Sequence, residues 1–246
     1  MSDCSNVFFE NKDLVVLHKP ANILSVRSRF HSTKPEPTVL DLYGELLPVH
    51  RLDREVEGLL IAAKNKKTQS ICNSWFEKKE INKSYMALSC EVDLNLFEKL
   101  PFQAETISPK IGDSFHWTST LLRGKKRSYE HTEGDKAETV ASLAGITTLN
   151  SAKIYQWKLS PLTGRSHQLR FELAKHKHPI LGDELYFAPL IPHYETGIAL
   201  IANELDFSQC PNKDVLNLPD KISLNISWDI MLSRLDSNAT HVAEKE

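Results

Sequence analysis

The side chains able to do chemistry in this chain fall in two short stretches that lie far apart. His50-Arg51-Leu52-Asp53 places an aspartate just ahead of the apolar run 58–63. Downstream, Thr163-Gly164-Arg165-Ser166-His167-Gln168-Leu169-Arg170 places two arginines at the start of an amphipathic segment. Neither a metal-ligand cluster nor a phosphate-cradling glycine loop accompanies them. A carboxylate with an ordinary pKa of about 3.9 is ionised at neutral pH, and a facing guanidinium holds it so. Such a group can act as nucleophile or base on a nucleoside without a cofactor. The pattern suggests chemistry on an anionic substrate with uncharged bases, such as RNA.

Each stretch needs an element to hold it. The charged turn Arg54-Glu55 follows Asp53 and marks a loop at a sheet edge, a common seat for reactive groups. Arg165 and Arg170 are five residues apart at a predicted helix start, so they do not share a ridge. One can reach a phosphate at the cleft mouth while the other, Arg170, forms a bidentate pair with Asp53 that a lysine could not reproduce. Ser166-His167 invites a hydrolase reading. Against it, there is no Gly-x-Ser-x-Gly elbow, and adjacent helical residues do not face one another. His167 reads instead as a packed or hydrogen-bonding residue.

At 246 residues, with 41% apolar and 25% charged side chains, the chain is long enough for a full-sized core and ordinary for a soluble protein. Its formal charge of −2 and pI of about 6.6 exclude a basic nucleic-acid coat. An RNA partner would have to be held by local patches, such as Lys64/Lys66/Lys67, Lys78/Lys79/Lys83 and the run Arg123, Lys125, Lys126, Arg127. The four cysteines have no paired spacing and no histidines at ligand distance, so neither a disulfide framework nor a metal site is expected. No signal peptide and no bilayer-spanning run is expected either, which fits a cytoplasmic protein away from membranes.

Local patterns predict a strand at 14–17 ended by Lys19-Pro20, a loop over 27–37, and a short helix from a Thr38 cap through Leu47. They continue with a buried strand at 58–63 and a helix capped by Asn65, with Thr68, Ile71, Cys72, Trp75 and Phe76 on one face. Residues 83–92 alternate, which puts Tyr85 on the less apolar face, where an aromatic is positioned to meet a ligand. Residues 94–136 read mostly as connections. Strands are expected at 138–143, 153–159, 198–207 and 221–228, and a helix at 166–175. The fold class is α+β, a mixed and mainly antiparallel sheet with flanking helices and a central catalytic cleft. Residues 1–13 read as an N-terminal extension, 14–230 as the catalytic domain and 231–246 as a C-terminal tail.

Over residues 14–230 the chain resembles the RluA-type family of pseudouridine synthases through six ordered motifs. These run from the strand and Lys-Pro turn of Val16 to Val26, through His50-Arg51-Leu52-Asp53 with Gly58-Leu59-Leu60, to Lys83-Ser84-Tyr85-Met86-Ala87. Lys136-Ala137-Glu138-Thr139, the Gly164 to Arg170 motif and His178-Pro179-Ile180-Leu181-Gly182-Asp183 complete them. The resemblance implies that Asp53 is the catalytic carboxylate that helps detach uracil from ribose before the base rotates and rejoins through carbon. It implies that Tyr85 stacks on the extruded uracil, that Arg170 pairs with Asp53, and that Leu169 packs beneath the site. On the RNA side, Arg51 would displace the target base or fill its space, and Arg165 would hold the backbone. No metal and no cofactor is implied, nor an S4-type RNA-binding domain ahead of the first strand.

The wording of the motifs is closest to the branch acting on a hairpin of 23S-type ribosomal RNA and on the anticodon stem–loop of some transfer RNAs, here as a monomer. Two departures stand out. Val56-Glu57 replaces the usual Thr-Ser, which brings a phosphate-repelling carboxylate near the site, and Glu172 stands where a histidine is common. The first keeps open a second reading, a non-catalytic RNA-binding relative of the same fold.

Overall fold

The apolar runs become the middle of one 11-stranded sheet. In the computed structural model of the chain, the residues described are 6–27, 38–92, 100, 102–149, 151–189 and 193–236. The strands in chain order are β1 (Val7–Glu10), β2 (Leu14–Lys19), β3 (Leu47–Pro48), β4 (Glu57–Ala63), β5 (Asn82–Cys90), β6 (Ser114–Arg123) and β7 (Ser128–Glu130). They continue with β8 (Asp135–Leu149), β9 (Ala152–Pro161), β10 (His193–Tyr194), β11 (Leu200–Asp206), β12 (Lys221–Ser223) and β13 (Leu235–Asp236). Across the sheet the order is β1-β2-β4-β11-β5-β9-β8-β6-β7, with β3 on β4 and β12 on β11, while β10 and β13 pair with each other. The ladder is antiparallel apart from the β4–β11 pair. This is a mixed, mainly antiparallel α+β fold.

Among the described residues three α-helices flank the sheet: α1 (Lys66–Glu77), α2 (Gln168–Lys175) and α3 (Trp228–Ser233). The Asn65 side chain caps α1 by accepting from the Thr68 amide at 2.9 Å, as its sequence predicts. Thr68, Cys72 and Trp75 are buried, and Ile71 and Phe76 pack beside them. Every residue of α2 is buried, so it is a core helix rather than an amphipathic surface one.

Several expectations change. Thr38 caps only a single 3-10 turn, Val39–Leu42, and not a helix through Leu47. Of the loop expected at 27–37, residues 28–37 lie outside the described residues. The region 94–136 holds β6 and β7 rather than connections alone. β6 escaped notice because Ser119, a polar residue, takes a buried place between Trp117 and Leu121 and breaks the alternation. β8 is much longer than 138–143, and β12 stops at Ser223. Ser227 then caps α3, ending the strand expected through Trp228. The alternation of β5 also fails beyond Tyr85, because a central strand is covered on both faces and Met86 to Cys90 are all buried.

The parallel β4–β11 pair sets where the cleft forms. Gly58, the second residue of β4, has φ +136°, and a Cβ there would lie 2.5 Å from the Ala202 backbone of β11. Only glycine lets the two strands come together directly after the Asp53 loop.

Candidate active site

Asp53 sits on a loop held from four directions. The Ser25 hydroxyl donates to the Leu52 carbonyl at 2.9 Å and accepts from the Leu52 amide at 3.0 Å. Lys19, fully buried, donates to the carbonyls of Pro20, Ile23 and Arg54 at 2.8, 2.8 and 3.1 Å. Burial pushes its ammonium down to about 8, against the pull of Glu55 and Asp53. His50 accepts from the Ile61 amide through Nε2 at 3.0 Å and stacks on Phe76. That acceptor role requires a neutral ring, and burial, with Lys83 nearby, lowers its pKa to about 3. Finally, Gly197 lies against the Glu55 carbonyl, where a Cβ would come within 2.4 Å. None of these supports was assigned a role from sequence. The Lys-Pro turn, Leu24-Ser25-Val26 and His50 were visible as motif letters, but their partners are backbone atoms, which a sequence does not display.

The second stretch is organised by Gln168. Its amide oxygen accepts from the Thr163 hydroxyl at 2.7 Å and the Arg165 amide at 3.0 Å, and its Nε2 donates to the Glu138 carbonyl and Thr139 hydroxyl at 2.8 and 2.9 Å. All four sites of this buried amide are used. His167 takes a left-handed φ of +54°, so α2 begins one residue later, at Gln168. The turn leaves Arg165 on the rim and Arg170 inside.

Arg170 is 2% exposed and is the centre of the acidic cluster. Its bidentate partner is Asp183, reached from Nε and Nη2 at 2.7 Å each. Nη1 donates to Glu55 at 3.0 Å and lies 3.6 Å from Asp53. The bidentate pair with Asp53 expected from sequence is thus corrected to an ion pair at longer range. Asp183 reaches Arg170 through the turn after α2, thirteen residues on. Burial raises the Asp183 pKa, and the two short bonds from Arg170 oppose that shift. Among the described residues, neither oxygen of the Asp53 carboxylate takes a hydrogen bond. Its contacts are Arg170 and, at 4.0 Å, the His167 ring.

These groups share one cleft of about 710 Å³. Asp53, Tyr85, Arg170, Leu169, Arg51 and Arg165 all line it. Tyr85 leaves β5 toward Asp53, and burial, then the Asp53 charge, raises its phenol pKa, so the ring stays neutral. Leu169 is buried in the cleft floor, Arg51 is exposed at its edge, and Arg165 pairs with Asp135 at 3.2 Å on the rim. The basic run reaches the same place, because Arg123 lies 3.3 Å from His167 Nε2. Burial, with Arg170 and Arg123 adding to it, lowers the His167 pKa to about 3. Its Nε2 faces Arg123 and Asp53, and among the described residues neither ring nitrogen bonds to Ser166, so the hydrolase reading finds no support.

Glu57 does not face the cleft. It is buried, accepts from Arg234 at 2.7 Å and lies 3.0 Å from His18 Nε2. Burial works to raise its pKa, but the bonds to His18 and Arg234 hold it below the ordinary value. The phosphate repulsion expected of it is corrected: its charge is neutralised on the other side of β4.

One cleft in a mixed sheet holds an arginine-paired carboxylate, a neutral tyrosine and basic residues around its mouth, an arrangement suited to chemistry on a polyanion. Residues 13–175 match the family model described as RNA pseudouridylate synthase, and the chain belongs to that family. It is 30% identical over 209 residues to the dual-specificity RNA pseudouridine synthase RluA of Vibrio vulnificus (strain CMCP6), covering 82% of this chain and 77% of that protein. To the protein of the same description from Pasteurella multocida (strain Pm70) it is 32% identical over 196 residues, covering 78% and 82%. Its fold is similar to human RNA pseudouridylate synthase domain containing 4, with a TM-score of 0.62 at 19% identity over 94% and 92% of the two chains. The protein is an RNA pseudouridine synthase, an isomerase.

Proposed function

We propose that this enzyme isomerises uridine in a hairpin of 23S-type ribosomal RNA, in the anticodon stem–loop of transfer RNA, or in both, with Asp53 as its catalytic carboxylate. In the reaction the N1–C1′ bond breaks, uracil turns, and a C5–C1′ bond forms. The C5 proton is lost and N1 gains one. The observation that carries the assignment is the meeting of Asp53, Tyr85 and Arg170 in one cleft. Asp53 is the carboxylate of the cluster with no hydrogen bond among the described residues, so its oxygens are left for the nucleoside. Arg170, anchored on Asp183, keeps a positive charge beside it. Tyr85 supplies a neutral ring for an extruded base, a contact that every base can make through its π-face. Leu169 forms the floor, Arg51 occupies the space of the displaced base, and Arg165 holds the backbone at the rim.

The ribosomal and transfer RNA pairing rests on the dual-specificity description of the relatives and on the motif wording. We read the enzyme as a monomer acting on RNA without a cofactor. Residues 14–230 are proposed as the catalytic unit, with β1 added at the sheet edge. We read the setting as cytoplasmic, in keeping with the free, buried state of Cys72, Cys90 and Cys210.

The test is tritium release from 5-tritiated uridine in transcribed ribosomal and transfer RNA, with wild type and Asp53→Asn compared. Release that disappears in the variant while RNA binding persists is the expected result, and the RNA that responds names the substrate. Release unchanged in Asp53→Asn would remove Asp53 from the chemistry.

A further inference from the structure

The cleft continues beyond Tyr85 to a wall with no role in the reading above. Lys83 precedes Tyr85 by two residues on β5, so the two side chains leave the same face about 6.5 Å apart. Both line the cleft. The Lys83 ammonium lies 5.9 Å from the centroid of Phe76, the ring on which His50 stacks. Gly164 stands in front of it, where even a Cβ would only come into van der Waals contact, 3.8 Å from Nζ.

What Lys83 lacks is a counter-ion. Among the described residues no carboxylate or carbonyl receives its ammonium. The other lysines withdrawn from water each have oxygen partners: Lys19 three carbonyls, Lys64 the Glu10 carboxylate and the Asn11 carbonyl, Lys175 the carboxylates of Glu105 and Glu130. Two further cations of the cleft wall are paired as well, Lys79 with Glu138 and Arg165 with Asp135. Burial without compensation drives the Lys83 pKa down to about 8. A desolvated cation facing a cleft costs stability unless an anion arrives with the ligand.

We propose that Lys83 is the seat of a phosphodiester subsite, taking the backbone phosphate next to the target uridine and so fixing the strand while the base lies against Tyr85. The inference rests on the RNA-isomerase reading and adds to it a positioning residue outside the Asp53 cluster. The ammonium meets one non-bridging phosphate oxygen across the gap left by Gly164, and Phe76 keeps water from its other side.

The experiment compares wild type, Lys83→Met and Lys83→Arg on an RNA stem–loop carrying the target uridine, with and without one uncharged methylphosphonate at each flanking linkage. Lys83→Met is expected to raise KM roughly tenfold, the scale of one charge-assisted hydrogen bond, with less effect on kcat. Its plot of log affinity against log salt should be shallower by about 0.7, one phosphate contact on a single strand. One flanking methylphosphonate should weaken wild type by a similar factor and leave Lys83→Met unaffected, while Lys83→Arg keeps the wild-type slope. Lys83→Met should also melt higher without RNA, since it removes a half-buried charge that has no oxygen partner among the described residues; a merely structural lysine would give a lower melting temperature. An unchanged KM and salt slope in Lys83→Met, or equal methylphosphonate sensitivity in both proteins, overturns the proposal. Should wild type release no tritium from any RNA, the functional reading fails, and the binding slopes still decide the fate of Lys83.

Discussion

Arg170 directs its two parallel N–H bonds at Asp183, 2.7 Å each, and stands 3.6 Å from Asp53. The rigid member of the cluster is therefore the Arg170–Asp183 pair, buried on both sides. Asp53 sits beside that pair rather than inside it. This arrangement holds a positive charge next to Asp53 without occupying its oxygens, which suits a carboxylate that must act on a ligand.

Asp183→Asn should be costly. Removing one charge of a buried pair leaves Arg170 with only the more exposed Glu55 and Asp53 to offset its charge, and about 3 kcal/mol of stability should be lost. Arg170, with one anchor weakened, should turn toward Glu55 and Asp53. Urea unfolding and tritium release measure the two effects, and kcat is expected to fall at least tenfold. A variant as stable and as active as wild type would show that Asp183 does not hold Arg170 in place.

Ser25→Ala tests the loop that carries Asp53. The substitution leaves the Leu52 amide and carbonyl buried without the partner they share. Each unsatisfied group costs about 1–3 kcal/mol. Stability should drop by roughly 2 kcal/mol, and kcat should fall more than KM rises, because the loop loses registration rather than RNA contacts. Single-turnover rates at saturating RNA would separate the two.

Glu57→Ser removes the buried carboxylate that ties β4 to Arg234 and His18. Stability at pH 7 should fall by roughly 2 kcal/mol, the scale of one or two hydrogen bonds to charged groups. The folded-state pKa of Glu57 is depressed, so its contribution is full above the unfolded value near 4.5 and disappears as pH falls through the lower folded value. Melting curves of the two proteins should therefore differ at pH 7 and converge in acid. Tritium release per folded molecule should stay close to wild type.

Glu172→Gln should act with the opposite pH dependence. Glu172 is fully buried on α2, and neither carboxylate oxygen makes a hydrogen bond of good geometry. Burial raises its pKa to about 7, with Glu130 and Glu105 adding to the rise and Ser119 and Lys175 opposing it. The folded state holds this proton more tightly than the unfolded chain, so stability falls as pH rises from about 4.5 to about 7 and levels off above. Glutamine removes that slope. The variant should melt higher than wild type at pH 8, and the gap should close near pH 5.

Much of the scaffold was legible in the residues because it is local. The Asn65 cap, the α1 face of Thr68, Cys72 and Trp75, and the buried run of β4 depend on spacings of a few residues, which the helix and strand periods translate directly. The candidate groups are legible too: Asp53, Tyr85, Arg170, Arg51, Arg165 and Leu169 stand in recognisable motifs, and all line one cleft. Where a strand is covered on both faces, as β5 is beyond Tyr85, the period of two no longer separates inside from outside, and the reading failed there. A polar residue in a buried row hid β6 for a related reason.

By itself, then, the sequence determined which residue types are present for the chemistry and which short elements carry them. Only the tertiary structure decided their partners. Arg170 faces Asp183 first, Glu57 turns away from the cleft to a residue 177 positions distant, and Lys83 has no counter-ion among the described residues. The physical reason is that an ion pair forms wherever packing brings two charges within hydrogen-bond range after water is excluded. That choice is made among all the charges of the chain, by the crossing of β4 and β11 and the burial of α2, and no local period encodes it.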